Sequence, residues 1–285
     1  ATGPYFIPNV SIDSLAVYTN NPPCGAYRGF GYSEFHFGLE SILDRIAKHI
    51  HIDPVEFRRI NAIKAGDPVA YGVPMNASGM HECIDKVAEA IEWGRDEVSD
   101  DPDKVIAKGF ACAWKAPAMP ANAGSSVFLK FSEDGSINVE LSGMEIGQGL
   151  HTTMAKIAAE ELGLPLSMVR VELPDTDRSP YEWQTVASHE TWELGNTVIL
   201  AAQEARERIF DVVHRAYFLE KEFLYLEDAK VKNELDPTFE LPFKDFVITG
   251  IETEHHTWIG GPITGSASYI PEFTNAMVNP ETGQG

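Results

Sequence analysis

The stretch VFLKFSEDGSINVELSGMEIGQGLHTTMAKIAAEEL, residues 127–162, decides the fold. Apolar and polar residues alternate over Val127–Phe131 and over Ile137–Leu141, which is the period of half-buried strands. The Glu133–Ser136 stretch between them contains the Asp-Gly pair of a hairpin turn. After Gly149 the apolar residues recur at helical spacing, at Met154, Ile157, Ala158 and Leu162. The stretch therefore predicts two strands, a glycine-containing loop and an amphipathic helix.

Three helices are predicted upstream of this stretch. The first begins near Ser33, its expected N-cap, and its apolar residues share one face: Phe35, Leu39, Ile42 and Ile46. The pair Asp53-Pro54 predicts the start of the second helix, with Asp as the cap and Pro in the first turn. The third is expected over His81–Trp93. The polar residues Ser99–Asp103 then predict a boundary or an exposed loop.

Downstream, Met168–Leu173 predicts another strand and Leu194–Tyr217 a long helix. From Phe223 onward, short strands are expected to mix with loops. The expected fold class is therefore α+β, with mixed helices and sheets. We expect two parts, residues 1–100 and residues 101–285.

The composition limits the possible functions. The 285 residues include 22 Lys and Arg against 43 Asp and Glu, a formal net charge of −21 that would repel nucleic acid. No apolar run could span a bilayer, and the N-terminal residues lack a signal-peptide pattern, so no membrane partner is expected. Cys24, Cys83 and Cys112 lack CxxC spacing, which argues against a disulfide framework, a zinc ribbon or an iron–sulfur cluster. These features favour a cytoplasmic protein, in which Cys24 is either a reactive or a passive thiol.

The first candidate for chemistry is Arg28, which lies in a glycine-rich stretch ahead of the first helix. Glycines allow a backbone to approach a ligand closely, and a guanidinium offers a planar set of donors to an oxygen-rich group. The alternative is a structural arginine that binds a neighbouring carbonyl. Phe30 is either a core residue or a ring on which a substrate stacks.

The second candidate is Gly147-Gln148-Gly149, between a predicted strand and a predicted helix. Unpaired N–H groups and the positive end of a helix dipole at this place could meet a phosphate or an oxo group. Neither a Walker loop nor a Rossmann fingerprint is present, because the lysine and the third glycine are missing. The alternative is an ordinary tight turn.

The third candidate is residues 184–191, in which Thr185, Ser188 and Thr191 supply hydroxyls and Ala187 permits a close approach. The alternative is a capping loop rich in Ser and Thr. The HExxH metal motif and the GxSxG nucleophile motif are both absent, and we expect no metal ligands from the protein itself.

Taken in order, these segments resemble the molybdenum-binding subunit of the xanthine dehydrogenase and aldehyde oxidoreductase family. The resemblance covers almost the whole chain and rests on PYFIPN (4–9), YTN (18–20), AYRGFG (26–31), DPVEFR (53–58), GQGLHT (147–152), AEELG (159–163), TVAS (185–188), GN (195–196) and NPETG (279–283). It implies a molybdenum ion held through the dithiolene of a pyranopterin, either molybdopterin or its cytosine dinucleotide.

The resemblance also implies roles for individual residues. Those assigned to cofactor binding are Arg28, Ile146, Gly147, Gln148, Gly149, Thr185, Val186, Ala187 and Ser188. Gln148, Arg28 and Phe30 are assigned to the catalytic centre, where Phe30 matches an aromatic residue that stacks on aromatic substrates.

The implied reaction hydroxylates a carbon beside a ring nitrogen, or oxidises an aldehyde, with water as the oxygen source. Electrons would pass to iron–sulfur and FAD carriers on partner subunits, and a glutamate would act as the general base. The family's upstream Gly-Gly-Phe-Gly-Gly segment and the Gly-Glu-Pro segment with the base are absent from this sequence. We therefore expect a remaining molybdenum-binding polypeptide as a partner, whether the subunit is naturally divided or this is a piece of a longer chain. The alternative is a non-catalytic module that keeps the fold and binds no molybdenum.

Overall fold

The computed structural model describes residues 2–22, 25, 27–70, 72, 74–115 and 123–269. Cys24 and the 279–283 motif lie outside these residues. The described residues form two compact units, and the division falls between residues 116 and 117. No helix in the described part of the chain has the length and apolar character needed to cross a membrane. The mixture of helices and sheets confirms the α+β class.

The first unit contains three helices: α1 (Tyr32–His49), α2 (Pro54–Asn61) and α3 (Met80–Ala90). The prediction of Asp53 as the cap of α2 is confirmed, since its Oδ1 accepts from the N–H groups of Val55 and Glu56 at 2.8 and 3.0 Å. The prediction of Ser33 as the cap of α1 is wrong. Gly31 is the N-cap, with a left-handed φ of 88° that glycine adopts without steric cost, and Ser33 lies in the first turn.

The apolar face expected for α1 is largely exposed in the first unit. The side chains of Phe35, Ile42 and Ile46 are 38%, 54% and 40% exposed, and only Leu39 packs against the core. The buried residues of α1 are His36, Glu40 and Ala47. Helical spacing therefore identified the helix, but polar partners in the core determine which face is buried.

A buried ion pair connects α1 to α2. Arg58 Nε donates to Glu40 Oε2 at 2.7 Å, and Arg58 is fully buried. The other Glu40 oxygen accepts from the Tyr5 hydroxyl at 2.7 Å, and Oε2 also accepts from the Cys112 N–H at 2.9 Å. Asp44 Oδ1 lies 2.8 Å from Arg58 Nη1. Because both charges are paired and hydrogen-bonded, their mutual attraction offsets much of the desolvation cost of burying them.

The second unit contains two long helices and three sheets. The elements in chain order are β1 (Ser125–Phe131), β2 (Ile137–Glu140), α4 (Leu150–Glu161), β3 (Val169–Val171), α5 (Glu190–Tyr217), β4 (Leu224–Glu227), β5 (Lys230–Asn233), β6 (Glu240–Pro242), β7 (Ile251–Glu252), β8 (Trp258–Ile259) and β9 (Thr264–Tyr269). The main sheet has the order β3-β2-β1-β9, in which β2 and β3 are parallel and the other neighbours antiparallel. The order β4-β5-β6 forms a second sheet, and β7 pairs with β8.

The core of the second unit lies between the main sheet and its helices. Val127, Leu129 and Phe131 alternate inward from β1, as the sequence predicted. Helix α5 packs on β1 and β9, and α4 packs on α5 and β3. The loop between β2 and α4 and the loop before α5 therefore start from rigid, buried elements.

Ionisable groups are buried where α5 begins. His189 Nδ1 lies 2.7 Å from Glu193 Oε2, and both side chains are almost completely buried. The carboxyl groups of Glu182 and Glu190 adjoin each other, and neither has a hydrogen-bond donor among the described residues. Burial first, and then the neighbouring Glu190 carboxyl, raise the pKa of Glu182 to about 9. The raised pKa favours the neutral, protonated form of Glu182 at neutral pH.

The Arg58→Met substitution tests the ion pair in the first unit. It leaves the Glu40 carboxylate buried without its counter-charge, and we expect the free energy of unfolding to fall by about 3–5 kcal/mol. Arg59→Met is the matched control, because Arg59 pairs with Glu56 and Asp85 near the surface and should contribute little. Urea unfolding followed by fluorescence measures both, and equal losses would contradict the central role of the buried pair.

The pH dependence of stability tests the protonated Glu182. Its raised pKa stabilises the folded chain fully below the ordinary value of 4.5, and this contribution is lost as the pH rises toward about 9. Glu182→Gln cannot lose a proton, so the decline in the free energy of unfolding over this pH range should become shallower than in the wild type. Glu160→Gln, at an exposed position of α4, is the control. The same slope in both variants would show that Glu182 is already ionised.

Candidate functional site

The first predicted segment forms an exposed loop between β2 and α4, here called the GQG loop (residues 144–149). Gly147 and Gly149 have left-handed φ values of 98° and 77°, and Gly149 is the N-cap of α4. A Cβ atom at either glycine would meet nothing within 4 Å, so the glycines are required for the backbone conformation and not for space. The outer surface of the loop is open.

Glu145, which was not predicted from the sequence, accepts hydrogen bonds from two N–H groups of this loop and from one in the first turn of α4. Its Oε1 accepts from Gly147 N at 2.8 Å and from Gly149 N at 3.0 Å, and its Oε2 accepts from His151 N at 3.3 Å. These hydrogen bonds, with that from Gly149 the strongest, lower the pKa of Glu145. Two of the N–H groups expected to be unpaired at the start of α4, those of Gly149 and His151, are therefore already hydrogen-bonded to this carboxylate. A carboxylate two residues before the first glycine was the signal that could have revealed this.

The Gln148 side chain is fixed by both ends of its amide. Its Oε1 accepts from Ile146 N at 2.6 Å, and its Nε2 donates to Met144 O at 2.8 Å. Ile146 projects outward and is 75% exposed. Two hydrogen bonds to its own loop thus hold an exposed glutamine in one orientation.

The second predicted segment, here called the TVAS segment (residues 185–188), contacts the GQG loop directly. The Met144 N–H donates to Thr185 Oγ1 at 2.8 Å. Ala187 and Ser188 have positive φ values of 55° and 61°, which are uncommon for residues other than glycine and often mark functional sites. The structure therefore brings together two segments that are 41 residues apart in the sequence.

Two further contacts join histidines near the GQG loop and the TVAS segment to backbone carbonyl oxygens. His151 Nε2 is 2.9 Å from Gly143 O, and His189 Nε2 is 2.8 Å from Gln184 O. A Cβ at Gly143 would lie 2.7 Å from the Leu150 side chain and 3.2 Å from Glu182 Oε2, so a larger residue there would have to displace these side chains. The backbone before the GQG loop thus passes directly over the start of α4 and the buried carboxyl pair.

Arg28 and Phe30 belong to the first unit, in a turn that precedes α1. Phe30 N donates to Tyr27 O at 2.7 Å, and Tyr32 N donates to Gly29 O at 3.1 Å. The Phe30 ring is 78% exposed, so the alternative of a core residue does not apply within this unit. The Arg28 side chain is exposed, and no hydrogen bond or ion pair joins it to another described residue.

The described residues contain no group of three His, Cys, Asp or Glu side chains arranged to hold a metal ion. The exposed polar side chains of the GQG loop and the TVAS segment include the Gln148 amide, the Ser188 hydroxyl and the Glu145 carboxylate, whose oxygens already accept three backbone N–H groups. Amides and hydroxyls are hydrogen-bonding partners for a polar heterocycle.

Comparison with known proteins gives the family. A model of the molybdopterin cofactor-binding domain matches residues 86–285, and a second model with the same description matches residues 1–62. The chain is 31% identical over 272 residues to a putative xanthine dehydrogenase molybdenum-binding subunit of Escherichia coli K12, covering 92% of this chain and 35% of that protein. It is 27% identical over 245 residues to the nicotine 6-hydroxylase large subunit of Paenarthrobacter nicotinovorans, covering 80% of this chain and 30% of that protein.

Among solved structures, quinoline 2-oxidoreductase from Pseudomonas putida 86 superposes with a TM-score of 0.71 at 23% sequence identity, covering 94% of this chain and 36% of that one. This likeness shows the fold. The chain spans about a third of the length of the curated relatives that it matches. On the family models, which together match most of its residues, the chain belongs to the molybdopterin cofactor-binding domains.

Proposed function

We propose that this chain is the molybdenum-cofactor-binding component of a hydroxylase that oxidises an N-heterocycle or an aldehyde with water as the oxygen source. The observation that carries the proposal is the hydrogen bond from Met144 to Thr185, which joins the GQG loop to the TVAS segment on one exposed surface. Two segments assigned to the same cofactor by the family resemblance would then act as one binding surface.

The chemistry of this surface fits a pyranopterin better than a free ion. The Gln148 amide, the Ser188 hydroxyl and exposed backbone groups are neutral donors and acceptors, as a pterin ring requires. The family resemblance implies that molybdenum would be held through the dithiolene of molybdopterin or its cytosine dinucleotide, with no metal ligand from the protein. When bound, this group supplies the redox-active metal.

The residues of this chain would bind and orient the cofactor and the substrate. Ile146, Gly147, Gln148 and Gly149 would contact the cofactor from one side, and Thr185, Val186, Ala187 and Ser188 from the other. Gln148 would present an amide whose direction is already fixed, which lowers the entropy lost on binding. The exposed Arg28 guanidinium would serve an oxygen-rich group, and the Phe30 ring would stack on an aromatic substrate.

The remaining parts of the reaction would come from other polypeptides. We propose that the rest of the molybdenum-binding region supplies the general base, and that iron–sulfur and flavin subunits in the cytoplasm accept the electrons. The nicotine 6-hydroxylase large subunit among the relatives favours a heterocyclic substrate. We also propose that residues 1–100 and 101–285 make separate contributions, with Arg28 in the former and both cofactor-contacting segments in the latter.

One observation favours a second candidate, a non-catalytic module with the same fold. The GQG loop satisfies its own N–H groups through Glu145 and its glutamine through Ile146 and Met144, so it is stable without a ligand. A module of this kind would assemble with the same partners and contain no molybdenum.

Gln148→Ala distinguishes the two candidates. Because the amide lies on the surface, we expect the fold and the thermal midpoint to be retained. We expect the molybdenum and pterin content of the complex assembled with its natural partners to fall roughly tenfold, the equivalent of about 1.4 kcal/mol. Gln203→Ala on α5 removes the same side chain away from the loop and should leave the content unchanged. Unchanged content in both variants would count against the proposed site, and an absence of molybdenum from the wild-type complex would support the module.

Phe30→Ala tests substrate stacking. Loss of a ring contact of about 0.5–1.5 kcal/mol should raise KM for a heterocyclic substrate roughly 2- to 10-fold and leave KM for a small aldehyde nearly unchanged. Phe37→Ala is the matched control, since Phe37 is an equally exposed ring on α1, at 79% against 78% for Phe30. An equal change for both substrates would refute the stacking role.

A further inference from the structure

We propose that Glu145 is a positioning residue of this site, whose carboxylate holds the GQG loop in the conformation that fixes the Gln148 amide. The conformational part of this proposal stands on the geometry of the loop alone. Its consequence for cofactor retention rests on the proposed function.

Three backbone N–H groups converge on the Glu145 carboxylate and donate hydrogen bonds to it. Gly147 and Gly149 donate to Oε1, and His151 donates to Oε2. His151 lies in the first turn of α4, where N–H groups have no partner within the helix. A negative charge is stabilised there by the hydrogen bonds and by the helix dipole, so this one side chain satisfies donors that would otherwise face water.

The loop needs the hydrogen bonds to the Glu145 carboxylate because its glycines are intrinsically flexible. Gly147 and Gly149 both have left-handed φ, and a Cβ added at either would meet nothing within 4 Å. The glycines have no side chain whose packing could restrict the backbone, so the hydrogen bonds from their N–H groups to Glu145 oppose the large conformational entropy of glycine.

The Glu145 carboxylate acts on Gln148 through the backbone of the GQG loop. Both partners of the Gln148 amide, Ile146 N and Met144 O, come from the residues on either side of Glu145. Met144 N also donates to Thr185, which extends the same constraint to the TVAS segment. If the Glu145 carboxylate moved away, three N–H groups would lose their acceptor. The backbone that holds the Gln148 amide would then become more flexible.

A competing account gives the opposite result. If an anionic group of the cofactor used the same N–H groups, Glu145 would have to leave, and its carboxylate would weaken binding. Glu145→Gln removes the charge with almost no change in size. It should therefore lower cofactor retention if Glu145 positions the loop, and raise retention if Glu145 competes.

The first measurement is amide hydrogen exchange on the chain without added cofactor. We expect protected amides at Gly147, Gly149 and His151 in the wild type, and exchange roughly tenfold faster in Glu145→Gln, with the Glu160→Gln control unchanged. Glu145→Asp keeps the charge on a shorter side chain and should restore part of the protection. Unprotected amides in the wild type, or equal exchange in Glu145→Gln and wild type, would overturn the proposal. If a variant does not fold, unprotected amides in the wild type would by themselves still overturn the proposal.

The second measurement is the molybdenum and pterin content of the assembled complex carrying each variant. The positioning role predicts a content several-fold below wild type for Glu145→Gln and an intermediate content for Glu145→Asp. A higher content in Glu145→Gln would establish competition and overturn the proposal. If the wild-type complex held no molybdenum, the proposed function and the consequence for retention would both fail, while hydrogen exchange would still decide the role in the loop.

Discussion

The arrangement of the candidate site depends on one hydrogen bond, from the Met144 N–H to the Thr185 hydroxyl. It joins a loop that follows β2 to a segment that precedes α5, and both of these elements are anchored in the core of the second unit. A surface built from loops on rigid elements can hold polar groups in fixed directions without being buried itself. This explains how exposed residues such as Gln148 can be well oriented.

The interior beneath this surface is unusual for its ionisable groups. Glu182, Glu190 and Glu193 are gathered with His189 near the start of α5, where burial and the neighbouring Glu190 carboxyl raise the pKa of Glu182. Burying such groups costs free energy, in contrast to the fully satisfied Arg58–Glu40 pair of the first unit. A costly cluster directly behind the TVAS segment is consistent with a region organised for a role beyond stability.

The sequence predicted the secondary-structure elements better than it predicted the hydrogen-bonding partners of individual residues. Alternation over Val127–Phe131 and helical spacing from Met154 identified β1 and α4, because both patterns reflect burial against a single core. The position of the cap at Gly31 and the exposed face of α1 could not be predicted, since they depend on a left-handed backbone and on the polar contacts of Glu40. Glu145 escaped notice because local spacing does not show which side chain returns to cap its own loop.

The most direct test of the account is the structure of this chain in its natural complex with the cofactor bound. The account predicts that the Gln148 amide and the TVAS segment lie within about 3.5 Å of the cofactor, the limit for a hydrogen bond. It also predicts that the Glu145 carboxylate stays on the N–H groups of Gly147 and Gly149. A cofactor that contacts neither segment, or that displaces the Glu145 carboxylate, would contradict it.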